Sequence, residues 1–174
     1  ESAYPVVLEN CASISDTGGA GMHRGGNGIE KVYRLLEPGM ISIQDDRHLT
    51  QPWGIFGGKP GACSEKFIER RDGTREPLPA KVDNVQVRRG DRIIFRTAGG
   101  GGWGDPLDRD AIRVRSDVAR GQITAEKARS DYGVVVSGIK YELDVPGTKD
   151  LRDAMKRTRK PLELFEYGDR PLTV

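Results

Sequence analysis

Three glycine-rich stretches constrain the fold of this chain more than any other feature of its sequence. They run over residues 18–28, 52–61 and 99–104. Glycine loses more backbone entropy on ordering than any other residue type, so regular helices and strands are unfavourable there. Such stretches suit turns and places where one backbone packs closely against another. The regular secondary structure is therefore expected between and after them.

The segments around these stretches are typical of short β-strands. Apolar or alternating patterns predict strands in five runs: 4–9, 29–36, 40–44, 82–88 and 92–97. The last two runs flank Arg89-Gly90-Asp91, which predicts that they form a hairpin. Residues 66–70 and the turn at 71–73 predict a second, shorter hairpin.

After residue 106 the pattern changes from strands to helices. Three helices are predicted with their capping residues: 108–120 with Asp108, 125–131 with Thr124, and a helix reaching residue 157 with Thr148. Gly121 and Gly133 follow the ends of the first two, as helix-terminating glycines do. Short strands are predicted at 134–136 and 139–145.

Together these patterns predict an α+β fold rich in β-structure. Glycine loops connect the strands of a β block, residues 1–106, and a small helical C-terminal region with α+β character follows at residues 107–174. The tail carries Leu162, Leu164 and Phe165 among charged residues. Chain ends are usually disordered unless they dock, so we expect this tail to dock on another chain. The alternative is that it folds back on its own domain.

The composition argues against several classes of protein. The chain has 28 basic and 26 acidic side chains, a net charge of +2 and 6% aromatic residues, so neither nucleic acid nor a membrane surface is an expected partner. No apolar run approaches the roughly 18 residues of a membrane span, and no signal-peptide pattern is present. With only Cys11 and Cys63, no disulfide framework is expected, and the reducing cytoplasm is the predicted location.

The first glycine stretch has three interpretations from chemistry alone. It does not fit the dinucleotide-binding pattern, because Arg24 occupies the third glycine position, and no Lys-Ser or Lys-Thr pair follows as in a phosphate-binding P-loop. A turn that needs positive φ angles is favoured over a nucleotide site. Free backbone N–H groups beside Arg24 that bind an oxyanion or carboxylate are the third possibility.

The other two stretches have a structural and a functional interpretation. Trp53 and Phe56 near Lys59 form either a ligand wall with a cationic end or core residues under a loop, and the second is favoured. The run from Gly99 to Gly104 is most simply a tight passage where backbone packs on backbone.

Metal and nucleophile patterns are weak in this sequence. Two cysteines and two histidines, Cys11, His23, His48 and Cys63, are zinc ligands by type. No two of them have chelating spacing, so no metal site is predicted. His48 follows Asp45-Asp46, which allows either a carboxylate–imidazole pair or a solvated turn, and the turn is favoured. No nucleophile-elbow motif is present.

Four blocks, read together, resemble the hydantoinase B/oxoprolinase family. The first is Gly18-Gly19-Ala20-Gly21 with Arg24-Gly25-Gly26 and Gly28; the second is Asp46-Arg47 with Pro52-Trp53-Gly54, Phe56-Gly57-Gly58 and Pro60-Gly61; the third is Gly90-Asp91 with Gly99 to Pro106; the fourth is Asp131-Tyr132-Gly133-Val134-Val135. Each block alone is weak, but four in this order are specific, and they cover residues 8 to 136.

The resemblance implies an ATP-dependent enzyme assembly. Similar subunits belong to N-methylhydantoinase, 5-oxoprolinase, caprolactamase, and the acetone and acetophenone carboxylases. In that family a partner with an actin-like ATPase fold activates a carbonyl or amide oxygen, and the B-type chain carries hydrolysis or carboxylation, usually with a divalent metal. Hydrolysis of a cyclic amide is the implied reaction. A ketone carboxylase subunit and a non-catalytic scaffold domain are the alternatives.

The resemblance also implies partners and cofactors. Full B-type chains are much longer, and their metal ligands lie upstream of these blocks. This chain begins at Glu1 rather than methionine, so we expect a C-terminal piece or a split subunit that is inactive alone. Its expected partners are the actin-like ATPase subunit, the N-terminal B-type portion and a small-molecule substrate. It is expected to bind no cofactor itself, with ATP, magnesium and the divalent metal held elsewhere in the complex.

The matched blocks also supply candidate site residues. Arg24, Arg47 and Lys59, together with Gly25 and Gly26, are the candidates for holding a phosphate or carboxylate group of the substrate. His23 is the candidate acid or base, because imidazole commonly transfers protons near neutral pH. The alternative is that the glycine loops only shape the fold.

Overall fold

The computed structural model describes residues 4–168. The first part is built of strands: β1 (Val6–Ser13), β2 (Ile29–Leu35), β3 (Gly39–Gln44), β4 (Gly54–Ile55), β5 (Glu65–Glu69), β6 (Arg75–Pro77), β7 (Lys81–Val87) and β8 (Arg92–Arg96). The second part follows a 3-10 turn and mixes helices and strands: Pro106–Asp108 (3-10), α1 (Ala111–Ala119), α2 (Ala125–Tyr132), β9 (Val135–Ser137), β10 (Glu142–Asp144), α3 (Val145–Thr158) and β11 (Phe165–Glu166). The predicted β-rich α+β fold class is confirmed.

The β block consists of a five-stranded antiparallel sheet and a two-stranded one. The larger sheet has the order β1-β2-β8-β5-β6, and β3 pairs with β7 in the smaller. One apolar cluster draws its buried side chains from both sheets and the loop after β6: Leu35, Ile43, Ile68, Leu78, Val87 and Ile93. Burying these side chains stabilises the block by about 1.5–3 kcal/mol each.

One of the two predicted hairpins forms and the other does not. β5 and β6 pair around the turn at 71–73, as predicted. The strands β7 and β8 also exist and are joined by a turn in which Asp91 N–H donates to the Arg88 carbonyl at 3.1 Å. They belong to different sheets, however, so the predicted pairing between them is wrong. Since β8 pairs with β2 on one side and β5 on the other, it has no edge left for β7.

The three glycine stretches pack on one another and form what is called here the glycine layer, residues 17–28, 52–62 and 97–104. Gly19 N–H donates to the Gly100 carbonyl at 2.8 Å, Lys59 N–H to the Ala20 carbonyl at 2.7 Å, and Gly102 N–H to the Lys59 carbonyl at 2.9 Å. A methyl group on Gly19 or Gly102 would overlap the carbonyl oxygen of a neighbouring segment. The predicted backbone-on-backbone passage at 99–104 is confirmed.

The glycines of the first stretch are needed for close approach rather than for unusual dihedral angles. No glycine from Gly18 to Gly28 has a positive φ, although Gly104 in the third stretch has φ 73°. The favoured interpretation of the first stretch as a positive-φ turn is therefore wrong. Most of its glycines are required because backbone carbonyl groups lie where their side chains would stand; Gly26 is the exception.

The helical region has its own core, which reaches into the glycine layer. Six of its buried residues follow residue 106: Val114, Val118, Ile123, Ala128, Tyr132 and Val134. The seventh is Ala20, which is 3% exposed and comes from the first glycine stretch. The layer thus contributes a side chain to the helical core.

The predicted N-caps hold for one helix of three, while Gly121, with φ 66°, follows the end of α1 as predicted. Thr124 Oγ1 accepts from Lys127 N–H at 3.1 Å and Gly133 ends α2 with φ 61°, both as predicted. Helix α1 begins later than predicted, after Asp110, because Pro106–Asp108 forms a separate 3-10 turn. Helix α3 begins earlier, with Asp144 as its cap. Thr148 lies inside α3, where its Oγ1 accepts from Val135 N–H at 3.0 Å.

The described part of the tail folds back on its own chain. β11 pairs antiparallel with β4, Phe56 N–H donates to the Leu164 carbonyl at 2.8 Å, and Gly57 N–H donates to the Glu163 carbonyl at 3.0 Å. The backbone of this segment therefore folds back on its own domain, as in the alternative, while docking of its exposed side chains on another chain stays a prediction. The reason is that the open edge of β4 carries backbone groups that need partners. The rest of the predicted tail, residues 169–174, lies outside the described residues.

A polar cluster joins the end of β3 to the start of β5. The carboxylate of Asp45 accepts from the Ser64 hydroxyl and from the ammonium of Lys66, whose side chain is 4% exposed. Lys66 also donates to Ser64 Oγ at 3.3 Å. Burial by itself raises the pKa of the Asp45 carboxyl, but the hydrogen bonds from Lys66 and Ser64 outweigh it, so that the net pKa is lowered.

No helix within residues 4–168 is long and apolar enough to cross a membrane.

Two adjacent glycines test the close packing of the layer. A methyl group on Gly25 would overlap the Gly100 carbonyl, whereas Gly26 has no atom within 4 Å of the same position. We expect Gly25→Ala to lower the free energy of unfolding by about 2 kcal/mol or more, and Gly26→Ala to change it by less than about 1 kcal/mol. Urea unfolding of the two variants measures the difference. Equal stability of the two would contradict the close-packed layer.

The Asp45 cluster predicts a dependence of stability on pH. A carboxyl group with a lowered pKa stabilises the folded state above its unfolded pKa of about 3.9, and this contribution is lost as the pH falls through the lower, folded value. We expect Asp45→Asn to reduce the free energy of unfolding at pH 7 and to flatten its decline in acid. Asp83→Asn, at an exposed position on β7, is the control. Superimposable pH profiles for Asp45→Asn and the wild type would refute the prediction.

Candidate functional site

His23 lies on the surface of the glycine layer, next to Trp103. The two residues exchange backbone hydrogen bonds, each N–H donating to the other's carbonyl at 2.9 Å. Their ring centroids are 5.4 Å apart and the rings are tilted by 52°. The side chain of His23 is exposed. The layer therefore fixes the position of the imidazole and leaves it open to solvent or to a bound group.

Exposed apolar side chains form a group on the second glycine stretch, on Trp103 and on the tail. It is called here the aromatic patch, and its members are each at least 40% exposed: Trp53, Phe56, Trp103, Leu162, Leu164, Phe165 and Tyr167. Ring contacts join Phe56 to Trp103 at 5.9 Å and Trp53 to Tyr167 at 6.4 Å. The favoured interpretation of Trp53 and Phe56 as core residues is wrong, because they lie outside both apolar cores. Neither ring lines the clefts beside Lys59.

Arg24 lies beneath the layer surface and ties the layer to α1. Its Nη1 donates to the Gly25 carbonyl and to Asn27 Oδ1, both at 2.8 Å, and Nη2 reaches Gln122 Oε1 at 3.4 Å. Its side chain is 13% exposed, and Nε lies 3.8 Å from the Asp117 carboxylate. Arg109 donates to the same carboxylate at 2.8 Å. The guanidinium thus has internal partners, and its role in ligand binding stays a prediction.

The backbone donors of the first glycine stretch are largely used within the chain. The N–H groups of Gly18, Gly19, Gly25 and Gly28 donate respectively to Asn27 Oδ1, the Gly100 carbonyl, the Gly19 carbonyl and Thr17 Oγ1. These groups are not free to bind an oxyanion. The carbonyl of Gly26 accepts from Gly100 N–H at 2.8 Å, and the space beside its α-carbon is open.

Lys59 lies at the other side of the layer and forms an ion pair with Asp131 of α2. The Lys59 ammonium donates to Asp131 Oδ1 at 2.7 Å; the lysine side chain is 44% exposed and the aspartate 7%. Lys127 lies 3.2 Å from Asp131 Oδ2, an ion-pair distance, but is not aligned for a hydrogen bond, and Oδ2 has no hydrogen-bond partner. Clefts of about 230 and 280 Å³ adjoin this pair.

The predicted site residues do not converge on one of these clefts. Arg47 lies with its guanidinium carbon 4.9 Å above the centre of the Trp53 ring, and neither Arg47 nor His23 lines a cleft beside Lys59. Two buried carboxylates were not among the predicted site residues. Asp105 is paired with Arg159, and Asp131 with Lys59. Both stand in the matched motif blocks, but nothing local marks them as buried. Within residues 4–168, no three His, Cys, Asp or Glu side chains are grouped so that they could hold a metal ion.

Known proteins are similar to this chain in sequence. A family model described as hydantoinase B/oxoprolinase matches residues 1–106. An uncharacterized protein of Methanocaldococcus jannaschii is 38% identical over a match that covers 87% of this chain and 27% of that protein. A Pseudomonas sp. protein named for the B subunit of a D-/L-hydantoinase is 34% identical over 87% of this chain and 26% of its own length.

Two solved structures share the architecture. The crystal structure of an ATP-dependent caprolactamase from Pseudomonas jessenii matches with a TM-score of 0.74 and 30% identity, over 87% of this chain and 27% of that chain. Nucleotide-free acetone carboxylase matches with a TM-score of 0.73 over 90% of this chain and 26% of that chain, and its identity of 22% shows the fold alone. The acetone carboxylase alpha subunit of Xanthobacter autotrophicus aligns over 196 residues at 26% identity, covering 91% of this chain and 25% of the subunit.

These matches locate the chain within much longer proteins. It spans about a quarter of the length of the curated relatives that it matches. The four motif blocks noted in the sequence meet in the glycine layer and in the start of the helical region, and the family model covers the first three of them. The chain belongs to the hydantoinase B/oxoprolinase family.

Proposed function

We propose that this chain forms the C-terminal part, or a split subunit, of the B-type component of an ATP-dependent enzyme that hydrolyses a cyclic amide. In this proposal a partner with an actin-like ATPase fold activates the amide oxygen, and the N-terminal B-type portion supplies the divalent metal. The described residues offer no grouped metal ligands, so the proposal places the metal and ATP–magnesium on other parts of the assembly.

The observation that carries the choice of reaction is the closeness of the amide-directed relatives. The relative named as a hydantoinase subunit is 34% identical over 154 aligned residues, fewer than the 174 residues of this chain. The caprolactamase structure is 30% identical. The acetone carboxylase match extends over 196 residues at 26% identity, although this chain has 174, so that relative carries insertions. This difference favours hydrolysis of a cyclic amide over carboxylation of a ketone.

The aromatic patch supports membership of a larger assembly. Soluble monomers rarely expose a large contiguous apolar surface, and such surfaces usually mark contacts with other proteins. Here two tryptophans, two phenylalanines, a tyrosine and two leucines are all at least 40% exposed, and segments distant in sequence bring them together. We assign this surface to the contact with the N-terminal B-type portion.

Two members of the predicted site, His23 and Arg47, contact rings of this surface. In the proposal His23, held beside Trp103 in the patch, donates a proton to the leaving nitrogen or removes one from the attacking water. Arg47, whose guanidinium lies over the Trp53 ring of the patch, holds the phosphate or carboxylate of the activated substrate. Lys59 lies at the other side of the layer and is paired with Asp131, so its role in holding this group stays a prediction. Arg24 acts as a positioning residue that, with Gly25 and Gly26, holds the loop carrying His23.

The reaction is tested on the reconstituted assembly. We expect the purified chain alone to show no ATP turnover, because it has no P-loop or other recognisable nucleotide motif. The assembly with its ATPase and N-terminal B-type partners is expected to hydrolyse ATP when hydantoin, 5-oxoproline or caprolactam is added. Stimulation by a ketone with bicarbonate, and by no cyclic amide, would support the carboxylase alternative instead.

His23→Gln is expected to lower kcat by about tenfold or more, as loss of an acid–base group does, without loosening the assembly.

The contact surface is tested with paired substitutions of exposed side chains. Phe56→Ser and Leu164→Ser remove patch residues that are 54% and 55% exposed. Burial of each in an interface is worth about 1.5–3 kcal/mol, so we expect each to weaken association by about tenfold or more. Ile112→Ser, at a 67% exposed position on α1 outside the patch, is the control. Isothermal titration with the N-terminal B-type portion measures the affinity, and equal effects of all three variants would argue against the assigned surface.

A further inference from the structure

A second feature, which shares Leu162 with the aromatic patch, has the character of a small-molecule site. It is called here the tail cleft, the cavity of about 280 Å³ between the glycine layer, the 3-10 turn, the end of α3 and the tail. Its apolar wall comes from Pro106, Leu107, Met155 and Leu162. Sites for small ligands are typically apolar cavities with a few placed polar groups. The tail cleft is small but has this composition.

A buried carboxylate that is paired with two lysines lines this cleft. The side chain of Asp131 is 7% exposed; its Oδ1 accepts from Lys59, and its Oδ2 accepts from no donor. Lys127 supplies a nearby charge at 3.2 Å without a hydrogen bond. A buried carboxylate needs cations or N–H donors to offset its loss of hydration, so a ligand that displaces Lys59 must bring a donor of its own.

The other charges around the cleft point to a ligand of no net charge. Three cations and three carboxylates line it: Lys59, Arg159, Lys160, Asp105, Asp131 and Glu166. Arg159 donates to Asp105 at 2.5 Å, and the arginine side chain is 32% exposed while the aspartate is 7% exposed. The cleft therefore offers solvent-accessible cations, two buried carboxylates, Asp105 and Asp131, and the exposed Glu166. A molecule with one positive and one negative end matches this arrangement.

We infer that the tail cleft binds a small amino acid, a molecule with an ammonium and a carboxylate joined by a short apolar chain. Its carboxylate draws the exposed ammonium of Lys59 away from Asp131, and its own ammonium takes that place and donates to the carboxylate. Its carbon chain lies against Leu107, Met155 and Leu162. No covalent bond changes, and the number of ion pairs at Asp131 is conserved.

This exchange of partners explains why a ligand with a single charged group is not expected to bind in the cleft. A simple carboxylate would take Lys59 and leave the buried Asp131 Oδ1 without its donor. Removing the partner of a buried carboxylate leaves its charge uncompensated and is strongly unfavourable. A simple amine would bring a further cation to a carboxylate that already has two lysines beside it. The inference stands on the cleft itself and not on the proposed function, although opening a cyclic amide yields a molecule of this class.

Binding is tested on the full chain without any partner. The probe is 6-aminohexanoate, and hexanoate and hexylammonium are the matched half-molecules. Isothermal titration and amide chemical shifts are expected to show saturable binding of the amino acid at least about tenfold tighter than either half-molecule, a difference of about 1.4 kcal/mol. The shifted amides should include Gly57 and Leu107, which line the cleft. Absence of saturable binding, or equal binding of hexanoate, would overturn the inference.

Variants separate the cleft from the fold. Lys59→Met and Asp131→Asn are each expected to weaken binding about tenfold or more, whereas Lys149→Met, at an exposed position on α3, leaves it unchanged. If Asp131→Asn fails to fold, Leu162→Arg at a 48% exposed position blocks the cleft without touching a core and should also abolish binding. Wild-type affinity in Lys59→Met and Leu162→Arg would refute the site. Because no catalysis is measured, such a failure leaves the proposed reaction to its own test.

Discussion

Contact of backbone with backbone, with no side chains between, is the constraint on which the rest of the structure depends. Three segments far apart in sequence lie so close that a methyl group on Gly19, Gly58 or Gly102 would overlap a carbonyl oxygen of a neighbour. The same proximity lets their N–H and C=O groups pair across the layer. The few larger side chains of the layer must then point away from it. Ala20 enters the helical core, whereas Trp103 reaches the surface.

This arrangement gives the domain two chemically different surfaces. The aromatic patch is apolar and has the exposed His23 at its edge, while the tail cleft combines an apolar wall with buried carboxylates and exposed cations. Leu162 lines the cleft and also belongs to the patch, so the tail links the two. A rigid layer between an association surface and a ligand cleft suits a component that works beside other chains. Neither surface needs the layer to move, because its hydrogen bonds are already made within the chain.

Local signals in the sequence predicted local structure well. Thr124 and Gly133 mark both ends of α2, because capping depends on neighbours within one turn. Pairing was harder: β8 is flanked by β2 and β5, and no local pattern shows that its edges are taken before β7 is considered. The candidate site was harder still to predict from the sequence. Lys59 meets Asp131 across 72 positions, and Arg24 meets Gln122 across 98, so burial and partners arise only from the tertiary fold. Trp53 and Phe56 were expected inside because their type favours burial, but the tight layer leaves them no interior.

The pairing of β4 with β11 has a consequence for how the protein is made. During synthesis Gly54–Ile55 leave the ribosome long before Phe165–Glu166 exist, and Lys59 likewise precedes Asp131. Contacts between distant residues form slowly, and unpaired strand edges beside exposed aromatic rings promote aggregation in the meantime. The glycine segments of the nascent chain therefore remain exposed to solvent until the partners that are translated much later have been made. The first half of the fold therefore stays incomplete until Phe165–Glu166 have been translated, since the strand that completes it is encoded far downstream.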